Sequence, residues 1–403
     1  MRAGEPAGGS RTLAAVSLGL VIAVLGGSIA WSVTKATRHP AAASPSPLVT
    51  PATTAPGSPS ASPPTGPNRT VTIAAVGDTM LGNTPLLPPS PSTYLAAVRG
   101  ELHAPIVFGN LEGTLTDQTS SKCPTPTPPT PGPGGSPGHS PSPNPPPTCF
   151  AFRVPPSYAT YLRRAGFTVM NHANNHSLDF GSAGLTDTLA ALRGVHIANT
   201  GLPGHFAVVT RRGVRVAFVG FAPYGYTASL LDLPAARALI EAASARADVV
   251  VVYMHAGAEG SDRTHVTGRE EIYDGEDRGN PRAFAHMAVD AGADLVIASG
   301  PHVLRGMEFY RHRLIAYSLG NFAGYQDYSI GGVLGVSAIL RVTLEGDGSF
   351  VAARLVPLRL IGAGQPEPDP SGAAIGMVRT LSREDFGARA SRISPQGTIA
   401  PPG

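Results

Sequence analysis

A series of short apolar runs, each broken off at a polar, chemistry-bearing residue, sets the tightest limit on what this chain can fold into. Val71–Val76 is followed by Gly77 and Asp78, and Ile106–Phe108 runs into Gly109, Asn110 and Glu112. Phe167–Met170 leads to Asn171 and the Asn174, Asn175, His176 cluster. Val214–Val219 ends at Gly220, Val249–Met254 at His255, Leu295–Ile297 at Ser299 and His302, and Leu314–Leu319 at Gly320 and Asn321. Continuous apolar runs of this length read as strands buried on both faces, with chemistry at their carboxyl ends.

Helices are predicted between several of these runs. Ser182 suits an N-cap, with Leu185, Leu189 and Leu192 then falling on one face. Pro281 suits a first helical position, with Phe284, Met287, Ala288 and Ala291 facing inward. Gly331–Leu344 and Phe350–Leu360 read as long paired strands joined by a turn at 346–348. Strand–helix alternation followed by paired strands predicts an α/β domain with a mixed sheet or two packed sheets.

The chain carries 48 Gly and 41 Pro in 403 residues, concentrated in tracts at 40–68 and 118–148 that do not read as strand or helix. Leu13–Val33 is uncharged and about 20 residues long, enough for a bilayer span. The expected organisation is therefore an N-terminal cytoplasmic segment at 1–11, a transmembrane signal anchor or cleaved signal peptide at 12–34, and a Pro/Ser/Thr-rich linker at 35–69. A folded domain at 70–363 with a disordered insertion at about 118–148 would follow, then a partly disordered C-terminal tail at 364–403. Either N-terminal reading exports the domain, anchored in the cell membrane or secreted.

The two cysteines, Cys123 and Cys149, bracket the Pro-rich insertion, and outside the cytoplasm a disulfide between them is expected. Net charge is only +3 and the basic residues form no block, which argues against nucleic acid as a partner. Neither a phosphate-binding Walker loop nor a G-x-S-x-G elbow is present, which argues against a P-loop enzyme and against a serine hydrolase.

Asp78, Glu112, Asn175, His176, His255 and His302 all fall just past apolar strands. In an open α/β architecture those ends converge on one crevice. Carboxylate oxygen, amide oxygen and imidazole nitrogen together form a ligand set for a divalent metal. The remaining histidines lie in linkers, helices or turns and read mainly as structural.

The blocks Ala75–Gly82, Gly109–Gly113, Asn174–Gly181, Gly300–Val303 and Tyr317–Phe322 resemble, in order, the CapA family of capsule-synthesis proteins associated with poly-γ-glutamate. That resemblance implies a calcineurin-like metallophosphoesterase-type sandwich of two mixed β-sheets flanked by helices. It further implies a site for divalent manganese, zinc or iron. Asp78, Glu112, Asn175, His255 and His302 would be metal ligands and His176 the proton donor, with Asn110, Asn174, Glu259 and Asn321 lining the site. Two positions depart from the phosphoesterase pattern, since Met80 and Ser299 stand where histidines are usual. The implied role is the biosynthesis, export or attachment of an envelope polymer, with a metal-dependent hydrolase site or, alternatively, a metal-free scaffold or a phosphoesterase. Implied partners are the anionic polymer or its precursor, polymer-synthase subunits in the membrane, and the membrane itself.

Overall fold

A computed structural model describes residues 69–123 and 149–403. The expected membrane segment at 12–34, the linker as far as residue 68 and residues 124–148 of the insertion lie outside the described residues. Among the described residues, no helix is long and apolar enough to cross a membrane.

The apolar runs form the centres of two sheets. One is ten-stranded, and its main path runs Arg392–Ile393, Thr398–Ala400, Phe350–Ile361, Val336–Glu345, Thr70–Met80, Ile106–Leu111, Val169–Asn171, Ala198–Thr200. Two further strands join it off this path, Asn321–Gly324 beside Thr70–Met80 and Gln365–Pro368 beside Phe350–Ile361. The other sheet is six-stranded, in the order Met307–Tyr310, Arg313–Ala316, Leu295–Ser299, Val249–His255, Val214–Phe221, Ala207–Arg211. Its four middle strands are parallel, while Met307–Tyr310 and Ala207–Arg211 pair antiparallel at its edges.

Strand alternation sorts the side chains into layers. Val71, Ile73 and Phe108 of the larger sheet meet Val216, Phe218, Val251 and Ile297 of the smaller in one core. There the Phe108 and Phe218 rings stack at 5.3 Å. The outward residues Val219, Val250 and Val252 pack under helices Leu233–Ser244 and Pro281–Asp290 through Ile240 and Phe284. Ala74, Val76 and Met170 pack on the opposite side under Ala159–Ala165 and Gly181–Gly194 through Leu162 and Leu192. The layers therefore run helix, sheet, sheet, helix, a mixed α/β sandwich.

Several expectations need correction. The helix expected from Ser182 starts at Gly181 with Phe180 before it and no side-chain cap. Its buried stripe is Gly184, Thr188 and Leu192 rather than Leu185, Leu189 and Leu192, because the Thr188 hydroxyl accepts a 2.8 Å bond from Leu115 N across the layer. The long strand expected from Gly331 begins only at Val336, after a short 3-10 turn at Gly332–Gly335. The run expected at Leu314–Leu319 splits in two. Arg313–Ala316 belongs to the smaller sheet, and the chain then crosses to the larger as Asn321–Gly324.

The largest correction concerns residues 364–403, expected to be a tail. They form the strand Gln365–Pro368, the helix Ala373–Phe386 and the strands Arg392–Ile393 and Thr398–Ala400. Ala374, Ile375, Val378, Leu381 and Phe386 are buried, a helical stripe hidden in an otherwise polar stretch. Cys123 and Cys149 are joined by a disulfide, with 5.6 Å between their Cα atoms.

Candidate metal centre

The carboxyl ends of strands from both sheets meet at one place. Asp78 stands in Thr70–Met80, Glu112 follows Ile106–Leu111, His255 ends Val249–His255, and Ser299 ends Leu295–Ser299. The crossing between sheets lays Asn321 beside Asp78 in parallel register. That close approach requires glycine at Gly77, where a β-carbon would collide with the Gly320 carbonyl. Asp78 N donates to that carbonyl at 2.9 Å.

Asp78 is fully buried. Its Oδ1 accepts from Asn110 Nδ2 at 2.9 Å and from the Ser299 hydroxyl, and its Oδ2 accepts from Gly300 N at 3.2 Å. His302 Nδ1 lies 3.2 Å from Asp78 Oδ2 and 2.9 Å from Asn321 Oδ1. His302 adopts φ +62°, a left-handed backbone rare for residues with a β-carbon and a form of strain that clusters at functional sites. Its Nε2 faces Glu259 Oε2 at 3.6 Å, and the other oxygen of Glu259 accepts from Arg278.

Glu112 and His255 are also fully buried, with Oε1 and Nε2 3.5 Å apart. Ligand atoms of Asp78, Glu112 and His302 all lie within 4.8 Å of one another. The charges are unevenly held. Burial pushes the Asp78 carboxyl up, but the hydrogen bond and charge of His302, with His255 and Ser299, bring it below the usual range. Burial and the charge of Asp78 push Glu112 well above that range. Burial drives His255 down to about 3. Burial opposes the charge on His302 too, yet Glu112, Asp78 and Glu259 around it hold its imidazolium well above the ordinary value. Glu259 falls to about 2 because His302 and Arg278 outweigh its burial.

The donors fit a divalent ion, and the fit rests on atoms left without partners. Both oxygens of Glu112, His255 Nε2 and Asn175 Oδ1 are buried with no hydrogen bond among the described residues. Folded proteins rarely leave such groups unpaired. A carboxylate pair with two imidazoles is the donor chemistry of manganese, zinc or iron. Asp78, Glu112 and His302 thus form a candidate Asp/Glu/His metal site with His255 against it.

The remaining expected residues are placed differently. Asn110 and Asn321 contact the site directly. Asn174 reaches it through Asn110, donating to Asn110 Oδ1 at 3.0 Å and to Leu111 O at 2.8 Å. The side chains of Asn175 and His176 make no hydrogen bond to Asp78, Glu112 or His255. His176 Nδ1 instead pairs with Asp179 Oδ2 at 2.8 Å. Sequence reasoning missed Asn171, whose amide donates to Asn110 Oδ1 at 2.7 Å, although it closes its strand in the same way as the others. It also missed Arg278, which lies in a segment with no strand or helix pattern. Ser299, read only as a departure, is itself a donor to Asp78.

The family model for the bacterial capsule synthesis protein PGA_cap matches residues 72–326. The capsule biosynthesis protein CapA of Bacillus anthracis is 31% identical over 227 residues, covering 51% of this chain and 51% of that protein. The PGA biosynthesis protein CapA of Bacillus subtilis (strain 168) is 32% identical over 185 residues, 42% of this chain and 45% of its own. A probable polyglutamine synthesis accessory protein of Mycobacterium tuberculosis is 31% identical over 221 residues, 47% and 54% respectively. The chain spans about half the length of the curated relatives it matches. Among solved structures, a 5'-nucleotidase precursor from Thermus thermophilus aligns over 78% of this chain and 59% of that one. At 14% identity and a TM-score of 0.38, that likeness carries no argument about chemistry.

Proposed function

The chain belongs to the bacterial capsule synthesis protein family, and from that premise we propose that it takes part in the biosynthesis, export or attachment of an anionic envelope polymer such as poly-γ-glutamate. In this reading the domain works outside the cytoplasm, held by the apolar segment Leu13–Val33, and cleaves an ester or amide bond at a metal site. The observation that carries the hydrolytic part is the set of buried, unpartnered donor atoms on Glu112 and His255 beside Asp78 and His302.

Asp78, Glu112, His255 and His302 would hold the ion, which supplies Lewis acidity and a water of lowered pKa. Asn110 and Asn321 orient Asp78 and His302 by the hydrogen bonds described. Asp179 holds the His176 ring by Nδ1, leaving Nε2 without a hydrogen bond among the described residues and available to carry a proton to a leaving group. Phe152 lies against that ring at 4.6 Å and shields one of its faces.

The test is a metal titration of the purified protein, paired with hydrolysis assays on an aryl phosphodiester and a γ-glutamyl peptide. Asp78→Ala should lose bound metal. His176→Ala should retain it while any hydrolytic rate falls by about 10²–10⁴. Wild-type protein that takes up no manganese, zinc or iron at saturating supply would overturn the hydrolase reading and leave the metal-free scaffold in its place.

A further inference from the structure

The chain is nearly without lysine. Its basic residues are arginines except for Lys35 and Lys122, and Lys122 directly precedes the half-cystine Cys123. The Lys122 ammonium lies 2.7 Å from Asp179 Oδ1 and donates to the Asn175 carbonyl at 3.1 Å. Lys122 N donates to the Asp179 carbonyl at 2.7 Å. Asp179 is fully buried, and Oδ1 has no other polar partner among the described residues, so this ammonium is the counter-charge at that oxygen.

The other arm of the disulfide ends on the same carboxylate. From Cys149 the chain runs through Phe150 and Ala151 to Phe152, whose N–H donates to Asp179 Oδ2 at 2.7 Å. The Phe152 ring packs on His176, and Phe150 stacks on Phe152 at 6.2 Å. Both chain segments leaving the disulfide therefore close on Asp179, one through an ion pair and one through a backbone hydrogen bond. Asp179 Oδ2 in turn accepts from His176 Nδ1.

We infer that Lys122 is a positioning residue for the turn carrying Asn175 and His176, and that the Cys123–Cys149 disulfide keeps it in place. The inference rests on the role proposed for His176. A lysine on a flexible stem loses side-chain entropy when held in one geometry, and anchoring its backbone by a cross-link lowers that cost. Without the ammonium, a fully buried carboxylate oxygen loses its only compensating charge. The hydrogen bond that fixes the His176 ring then shares its acceptor group with an uncompensated site.

The experiment follows the ring-nitrogen proton of His176 by NMR in full-length, metal-free protein labelled with ¹⁵N-histidine, assigned by its absence in His176→Gln. The hydrogen-bonded Nδ1 proton should be sharp and downfield in the wild type and lost or shifted in Lys122→Met. Lys122→Arg, which keeps the charge, should restore it. Reduction of the wild-type disulfide should produce the same change as Lys122→Met, and reduction of Lys122→Met should add nothing further, because one route carries both effects. A signal unmoved by Lys122→Met, or independent and additive effects of the mutation and reduction, would overturn the inference. A manganese titration of the same samples separates the two readings. Wild-type protein that binds no manganese, yet shows these shifts, would remove the metal site and leave the positioning role standing.

Discussion

Glu112 Oε1 lies 3.5 Å from His255 Nε2, and both atoms are buried without a hydrogen-bond partner among the described residues. One residue follows a strand of the larger sheet and the other ends a strand of the smaller, so the seam between the sheets is where donors are left unsatisfied. Nothing in the core packing requires a carboxylate at this position. Its retention is costly for a metal-free fold and useful for holding a cation.

Glu112→Gln should therefore act in opposite directions on stability and on metal. The amide keeps the shape and removes a carboxyl that burial and Asp78 already push well above its usual range. Urea denaturation of the metal-free protein should show a midpoint at or above that of the wild type. Manganese affinity should fall at least as far as when an outer-shell partner is lost, about 10–100-fold. A variant that lost stability and bound manganese unchanged would show Glu112 to be structural.

The strand ends were legible in the sequence because burial on both faces leaves an apolar run with a sharp polar stop. That pattern located Asp78, Glu112, His255 and His302, which the fold brings together. It assigned Asn175 as a ligand and Asn174 as a lining residue. The fold bonds Asn174 to Asn110 and leaves the buried Oδ1 of Asn175 without a partner among the described residues, a difference set by the loop backbone and by Asn110 across the sheet. Arg278 and Lys122 were not legible for a related reason. Each enters from a loop with no periodicity, and only tertiary folding sets its partners. The C-terminal helix was overlooked because its buried stripe is spaced among Gly, Ser, Arg and Glu, which dilutes the apolar signal.

Ser299 illustrates how a pattern can mislead. By analogy the position lacks an imidazole, but Ser299 is fully buried, donates to Asp78 and touches the Tyr253 hydroxyl, opposite His255 in register. Ser299→His should overpack that space, costing about 1–3 kcal/mol without adding a ligand. Ser299→Ala should cost about 1 kcal/mol through the lost bond to Asp78. A tighter manganese isotherm for Ser299→His, with unchanged urea midpoint, would show that the backbone does accommodate a ligand there.

His172 gives the stability a pH dependence whose sign is fixed. It is buried, and desolvation with a smaller contribution from His205 lowers its pKa from 6.5 to about 4. Between those values the unfolded chain binds the extra proton, so stability is full above pH 6.5 and is lost as pH falls toward 4. The loss should reach about 2–3 kcal/mol at about pH 4.5. His172→Gln should remove that part of the slope between urea titrations at about pH 7.5 and about pH 4.5. An identical slope in both proteins would show that His172 does not carry it.

The final prediction concerns the C-terminal helix Ala373–Phe386. Phe386 is 5% exposed, stacks on Tyr317 at 5.0 Å and lies under the Arg282 guanidinium. Asp385 caps the arrangement from the next position, accepting from Val266 N at 2.9 Å and pairing with His265 at 2.8 Å. Ser382 accepts from Met307 N at 2.9 Å, closing the helix onto the smaller sheet's edge strand. Tyr317 belongs to the segment that crosses between sheets and delivers Asn321 to Asp78, so the helix buttresses the site from behind. Phe386→Ala should cost about 3–5 kcal/mol by cavity formation, whereas Val351→Ala, at a residue 45% exposed, should stay within about 0.5 kcal/mol. Truncation after Gly364 should abolish cooperative unfolding altogether, because it removes the buried contacts of Ala374, Ile375, Val378 and Leu381 and strips three strands from the larger sheet. A truncated protein with a wild-type urea midpoint would mean that residues 365–403 are dispensable to the fold, as a tail would be.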